Sequence, residues 1–234
     1  MGKRFSAVLD KVNRENYYLV GDAIALMKET ASAKFDESAE AAFRLAVDPK
    51  KNEHRIRSTV TLPHGTGKSV TVLAIAKGEK LTEAEKAGAD FAGGEEMIEK
   101  IENENWLGFD RLVVTPDMMG VVSKLGKLLG PRGLMPSPKA GTVTQDIGDA
   151  VGELKRGKLE FRIDEYGQVH SIFGKLSFEA SQLEENFMAL AKAIFNERPT
   201  DIKGRFLKSA AISTTMGPGI KIDPSELARA IMGE

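Results

Sequence analysis

The run Val70-Thr-Val-Leu-Ala-Ile-Ala76 is almost unbroken hydrophobe. A strand that is apolar on both faces has to be covered on both, which is how strands of a parallel sheet sit between layers of helix. The residues that follow repeat the theme. A helical pattern over 82–88 leads to a short strand at Ala89-Asp90-Phe91, then a helical pattern over 95–103, the strand Leu112-Val113-Val114 and a helical pattern over 117–125. Strand and helix in alternation predict a parallel α/β sheet.

The flanking segments follow a different pattern. Asp22 is placed to cap an alanine-rich helix over 23–33, where Ala23, Leu26, Met27 and Thr30 keep helical spacing. Phe43, Leu45 and Val47 then alternate with Ala42, Arg44 and Ala46. After a turn at Asp48-Pro49, Ile56, Ser58, Val60 and Leu62 share one face of a strand that carries Arg57, Thr59 and Thr61 on the other. Beyond the central region a helix over 147–155 precedes strands at 159–163 and 168–173, which Asp164-Glu-Tyr-Gly167 joins as a hairpin. An amphipathic helix over 180–196, a strand from Gly204 to Thr214 and a short helix opening at Asp223-Pro224 complete the chain. Alternating strands belong to antiparallel sheets. The expected fold is therefore α/β with α+β in two domains: a discontinuous α+β domain holding both termini, 1–68 and 159–234, and an inserted Rossmann-like α/β domain, 69–158. Gly65, Gly67 and Gly157 lie at the two crossings, where glycine tolerates the backbone rotations of a hinge.

The 234 residues are 41% hydrophobic and 29% charged, a globular composition. There is no cysteine, and His54, His64 and His170 are far apart in sequence. Neither a disulfide framework, a thiolate nucleophile nor a metal cluster can be written, and no catalytic constellation presents itself. No apolar run approaches the length of a membrane span, and Met-Gly-Lys-Arg-Phe-Ser lacks the apolar core of a secretory signal, so a cytoplasmic protein without a membrane partner is expected. Leu62-Pro-His-Gly-Thr-Gly-Lys-Ser69 ends like a phosphate-binding loop. It has leucine where that motif needs its first glycine and is followed by a strand instead of a helix, so it reads as a connection between domains. No cofactor and no small-molecule substrate are expected.

With 33 basic and 34 acidic side chains, the net charge of −1 lacks the bulk footprint of a nucleic-acid binder. Locally the balance changes. Between Asp117 and Asp146 there is no acid, while Lys124, Lys127, Arg132 and Lys139 lie in or beside a segment, 126–144, whose glycines and prolines predict a shaped loop without regular structure. Contact with nucleic acid and a purely structural role are both open there. The run Glu95 to Glu104, with five glutamates against Lys100, reads as a solvated helix face.

Four separated motifs resemble one family in order: Ala33-Lys-Phe-Asp-Glu-Ser38, Leu62-Pro-His-Gly-Thr-Gly-Lys68, Leu125-Gly-Lys-Leu-Leu-Gly-Pro-Arg-Gly-Leu-Met-Pro-Ser-Pro-Lys-Ala-Gly-Thr-Val-Thr144 and Ser213-Thr-Thr-Met-Gly217. The family is that of bacterial ribosomal protein L-one, the large-subunit stalk proteins, and the resemblance covers essentially the whole chain. It implies a ribosome-associated, non-catalytic protein whose discontinuous domain binds a stalk region of large-subunit ribosomal RNA. It also implies repression of translation of its own operon through a similar structure in the messenger RNA, and a part in releasing deacylated transfer RNA from the exit site. The RNA contacts carried over are Lys34, Phe35 and Ser38 from the first motif, His170 on the hairpin, Lys175 in Phe173-Gly-Lys175, and Ser213, Thr215, Met216 and Gly217 from the last. Such hydroxyls and backbone groups suit 2′-hydroxyls, and Phe35 and Met216 suit ribose or base surfaces. Where the family usually has Arg-Asn-Asp, this chain has Arg162-Ile163-Asp164, one polar side chain fewer beside that face.

Overall fold

The computed structural model describes residues 2–233. The chain forms two compact units: a terminal unit, made of the residues up to Gly67 and those from Leu159 onward, and a central unit, Lys68–Lys158.

The terminal unit begins with helices α1 (Lys3–Leu9) and α2 (Val20–Glu29) and strands β1 (Ser38–Leu45) and β2 (Arg57–Thr61). Helix α2 starts earlier than its alanine spacing predicts. Its N-cap is Leu19, which offers no side-chain acceptor, and Asp22 lies in the first turn, where a carboxylate complements the helix dipole without capping. Strand β1 also starts early. Ala39 and Ala41 continue the buried row of Phe43 and Leu45, and such small apolar residues leave little strand signal in sequence.

The central unit runs β3 (Val72–Ile75), α3 (Glu79–Lys86), β4 (Phe91–Gly93), α4 (Glu95–Glu104), β5 (Arg111–Val114), α5 (Pro116–Val122), a single turn α6 (Gly126–Leu129) and α7 (Ile147–Lys155). Its three strands are parallel in the order β4-β3-β5, and every residue of the middle strand is buried. Leu73 and Ile75 pack with Ile98, Ile101 and Met118 on one face, while Val72 and Ala74 pack with Ala84, Val151 and Leu154 on the other. The hydrophobic run thus has helices on both sides, as a parallel sheet requires. Segment 126–144 is more regular than expected, with α6 and a 3-10 turn at Pro138–Ala140. The reason is burial: Leu125 and Leu129 are in the core, and Leu128, Leu134 and Met135 pack against it.

The chain returns to the terminal unit with β6 (Lys158–Arg162), β7 (Gln168–Lys175), α8 (Ala180–Asn196), β8 (Leu207–Thr214), β9 (Ile220–Ile222) and α9 (Pro224–Met232). A four-stranded antiparallel sheet has the order β7-β1-β8-β9, and β2 pairs separately with β6. The expected hairpin is therefore closed only at its turn, by the Asp164 N–H to the Gln168 carbonyl and one bridge between Ile163 and Val169. Its strands then part into different sheets because β1 claims β7 along its whole length, leaving β6 to β2. Helix α8 buries Leu183, Phe187, Leu190, Ala191 and Ile194, and a capping box between Glu179 and Gln182 closes its start. Phe187 stacks on Phe43 and meets Phe173 edge-on, each at 5.5 Å between ring centres. Asp223 caps α9 by accepting from the Ser225 and Glu226 N–H groups. The helices share this core on one face of the sheet, and on the other Glu40, Arg44, His170, Ile172 and Ser209 are exposed. Among the described residues no helix is long and apolar enough to cross a membrane.

Candidate nucleic-acid interface

Strand β1 lies between β7 and β8 and antiparallel to both, so it begins where they end. The register sets Ser38 opposite Lys175 and Ala39 opposite Thr214. Three chain segments therefore meet at one end of the sheet, and with them Lys34, Phe35, Ser38, Lys175, Ser213, Thr215, Met216 and Gly217. Their polar groups are tied to one another. Lys175 Nζ donates to Ser38 Oγ at 2.9 Å and to the Asp36 carbonyl at 3.3 Å. The Ser38 N–H donates to Thr215 Oγ1 at 3.0 Å, and the Thr215 N–H donates back to the Ser38 carbonyl at 3.2 Å. Over this frame Phe35 and Met216 are exposed to 55% and 46%, and Lys34 is exposed too. Apolar side chains of that size exposed beside a fixed array of hydroxyl and amide groups make a surface suited to ribose and base faces.

Glu37, which sequence reasoning passed over, holds the array in place. It is 2% exposed, and its two oxygens accept from Thr214 Oγ1 at 2.7 Å and from the N–H groups of Met216 at 2.8 Å, Ala33 at 3.0 Å and Ser32 at 3.3 Å. Burial pushes this carboxyl up, but the Thr214 hydroxyl and the Met216, Ala33 and Ser32 N–H groups together outweigh burial and hold it below its ordinary value. It stays ionised and joins the turn before β1 to the turn after β8. Gly217 serves the same construction, since a Cβ there would fall 2.5 Å from Thr214 Oγ1, the hydroxyl that Glu37 engages. The signal available in sequence is an acidic residue directly before a strand that opens on Ser38-Ala-Glu-Ala41, residues with little strand pattern.

His170 is apart from this group. It faces Ala42 in the register, five residues and about 16 Å along β7 from Lys175 at about 3.3 Å per residue. There it lines a cleft of about 810 Å³ with Arg55, Arg57 and Arg162 and with the carboxylates of Asp164 and Glu165. Its Nε2 is 3.8 Å from the Asp164 carboxylate, and Arg57 is ion-paired with Glu160. Arg55 and Arg162 are exposed and have no acidic partner among the described residues. The candidate residues thus fall into a weakly charged sheet end and a cleft of mixed charge in which Arg55 and Arg162 are exposed. The family resemblance puts Arg162 beside the RNA face it implies; Arg55 and Arg57 carry no such signal, since one lies in a connection and the other in a strand.

The glycines at the crossings, Gly65, Gly67 and Gly157, have φ of +66°, +74° and +97°. Buried Asn186 fastens the first crossing to the terminal unit: its Oδ1 accepts from the His64 N–H and its Nδ2 donates to the Gly65 and Phe173 carbonyls. In the central unit Lys124, Lys127, Arg132 and Lys139 are exposed and without ion pairs among the described residues, on a segment whose apolar side chains cover the sheet. Among the described residues no group of three or more histidines and carboxylates could hold a metal ion.

Comparison with known proteins gives the architecture its relatives. The sequence model of the Ribosomal protein L1p/L10e family matches residues 27–218. The chain is 54% identical over 226 residues to the Large ribosomal subunit protein uL1 of Macrococcus caseolyticus (strain JCSC5402), covering 97% of each. Identity of that extent, from both segments of the terminal unit through the central one, means that the chain belongs to the Ribosomal protein L1p/L10e family, which is one of ribosomal proteins and not of enzymes.

Proposed function

We propose that the chain works on the cytoplasmic large ribosomal subunit, where the terminal unit binds a folded stalk region of the ribosomal RNA. The observation that carries this reading is the gathering of Phe35, Ser38, Lys175, Thr215 and Met216 at one sheet end, with Ser38 bonded to Lys175 and Thr215, the Met216 N–H held by Glu37, and two apolar side chains left exposed. A preorganised surface of this kind reads RNA by shape, with little ordering left to do on binding. Exposed Arg55 and Arg162, beside His170, supply phosphate contacts that position the duplex without reading its bases.

The same surface takes a similarly shaped structure in the messenger RNA of the protein's own operon and so represses its translation. On the ribosome the protein assists the release of deacylated transfer RNA from the exit site, with Gly65, Gly67 and Gly157 as hinge residues. Family membership supports both roles, and the neutral, hydroxyl-rich sheet end suits any RNA that presents the same backbone shape.

The test is titration of the full chain with a stalk fragment of large-subunit ribosomal RNA, the operon leader and an unrelated hairpin of equal length. The first two should bind at least about a hundredfold more tightly than the third, a modest ratio for a specific complex. Equal affinity for all three would reject shape recognition. Binding confined to the stalk fragment would remove the repressor role alone.

A further inference from the structure

We propose that the terminal unit carries a docking groove for a short basic and apolar peptide segment of another protein. The groove lies between the start of α2, the middle of α8 and α9, and encloses about 370 Å³. That is near the lower end of the roughly 300–1,000 Å³ of small-molecule pockets, space for a few side chains and not for a helix. Val20 and Met188 give it apolar walls, and Leu19 is 56% exposed at its edge. Leu19 occupies the N-cap of α2, where an oxygen-bearing side chain is favoured and none caps the helix. The helix forgoes its cap and displays an apolar side chain at the groove instead.

The charge on the rim selects the partner. Tyr18 apart, every ionisable side chain lining the groove is a carboxylate: Asp22, Glu184, Asp223 and Glu226. Asp223 is engaged in capping α9, and Glu226 pairs with Arg229 at 2.5 Å. Asp22 and Glu184 are exposed and have no cationic partner among the described residues. Two free carboxylates beside an apolar trough are complementary to lysine or arginine flanking aliphatic residues, and they repel RNA. The groove is also clear of the sheet end proposed to bind RNA. Lys28, near the other end of α2, donates to the Phe178 carbonyl just beyond β7, and Val20 is about 12 Å from it at about 1.5 Å per helical residue. Peptide and RNA can be held together.

The test uses the full chain, methyl-labelled at methionine, and the fluorescent peptide acetyl-Lys-Leu-Lys-Leu-Lys-amide. Control peptides replace leucine by serine or lysine by glutamate. The first peptide should bind and shift the Met188 methyl signal, and neither control should. Glu184→Lys should weaken binding about tenfold, one decade of affinity, with the melting temperature and the affinity for stalk RNA unchanged. Absent binding, equal binding of the serine peptide, full binding to Glu184→Lys, or a loss of RNA affinity in that variant would each overturn the proposal. So would concentration-dependent dimerisation abolished by Leu19→Ser, which would assign the groove to a second copy of the chain.

Discussion

Gly67 lies so close beneath the side chain of Lys175 that a Cβ there would come within 2.6 Å of Lys175 Cγ, while the Lys175 ammonium donates to Ser38 Oγ at 2.9 Å. One side chain thus touches both the crossing between the units and the sheet end. Gly67 has φ of +74°, so Gly67→Ala combines a left-handed backbone, costing about 1–2 kcal/mol for a residue with a Cβ, with displacement of the lysine stem. The variant should lose about that much stability in urea and bind stalk RNA several-fold more weakly. Lys175→Met keeps the stem and lacks the ammonium; it should lose RNA affinity with little change in stability. Full RNA affinity in Gly67→Ala would show that the crossing and the interface are not linked through this side chain.

Substitutions at Met216 and Thr215 test whether these side chains serve RNA binding or only support the sheet end. Met216 is 46% exposed, so Met216→Ala should leave the melting temperature in place and weaken RNA binding by about tenfold, or about 1.4 kcal/mol. Thr215 Oγ1 already accepts from the Ser38 N–H. Thr215→Val removes that acceptor and should weaken RNA binding to a similar degree, and Thr215→Ser, which keeps it, should restore most of the affinity. Loss of stability equal to loss of binding in Met216→Ala would place that side chain in the core.

Glu37 makes the sheet end acid-sensitive. Its carboxyl is held below the ordinary value of 4.5 although burial alone would raise it, so near that pH the unfolded chain binds more protons than the folded one. Its contribution to stability is fully present above about pH 4.5 and is lost as pH falls through the folded-state value. Glu37→Gln presents an NH₂ group to donors that need an acceptor, and leaving buried donors unpaired should cost about 1–3 kcal/mol at pH 7. In urea titrations the gap between wild type and Glu37→Gln should shrink below about pH 4.5. A gap constant with pH would mean that the carboxylate is not what ties the two turns.

Long amphipathic and long hydrophobic segments were legible in sequence. Helix α8 has the bounds that its apolar stripe predicts, and the run around β3 announces the parallel sheet. What escaped depends on distant partners. Strand β9 is three residues long and exists because β8 pairs with it; β6 turns to β2, although sequence proximity suggests β7. Helix α1 has no side-chain cap to announce it, and α6, which opens on Gly126 and is followed by Gly130, forms because Leu129 is buried and Leu128 packs against the core. At the sheet end the motif residues were named in advance through the family resemblance. The role of Glu37 was not, because it comes from bonds to Thr214 and Met216, nearly 180 residues away.

Salt dependence weighs the sheet end against the arginine cleft. Among the described residues the sheet end offers RNA two cations, Lys34 and Lys175, and the cleft adds Arg55 and Arg162, exposed and without an acidic partner. Each phosphate neutralised contributes about 0.7–0.9 to the slope of log affinity against log salt, so a slope of about −3 to −4 is expected, well short of the steepest nucleic-acid binders. Arg55→Gln and Arg162→Gln should each flatten the slope by about 1, and each should weaken the operon leader and the stalk fragment alike, because a phosphate contact carries no sequence. Met216→Ala should leave the slope unchanged while lowering affinity. Slopes that stay fixed when both arginines are replaced would put the cleft outside the RNA footprint and leave His170 as a surface histidine.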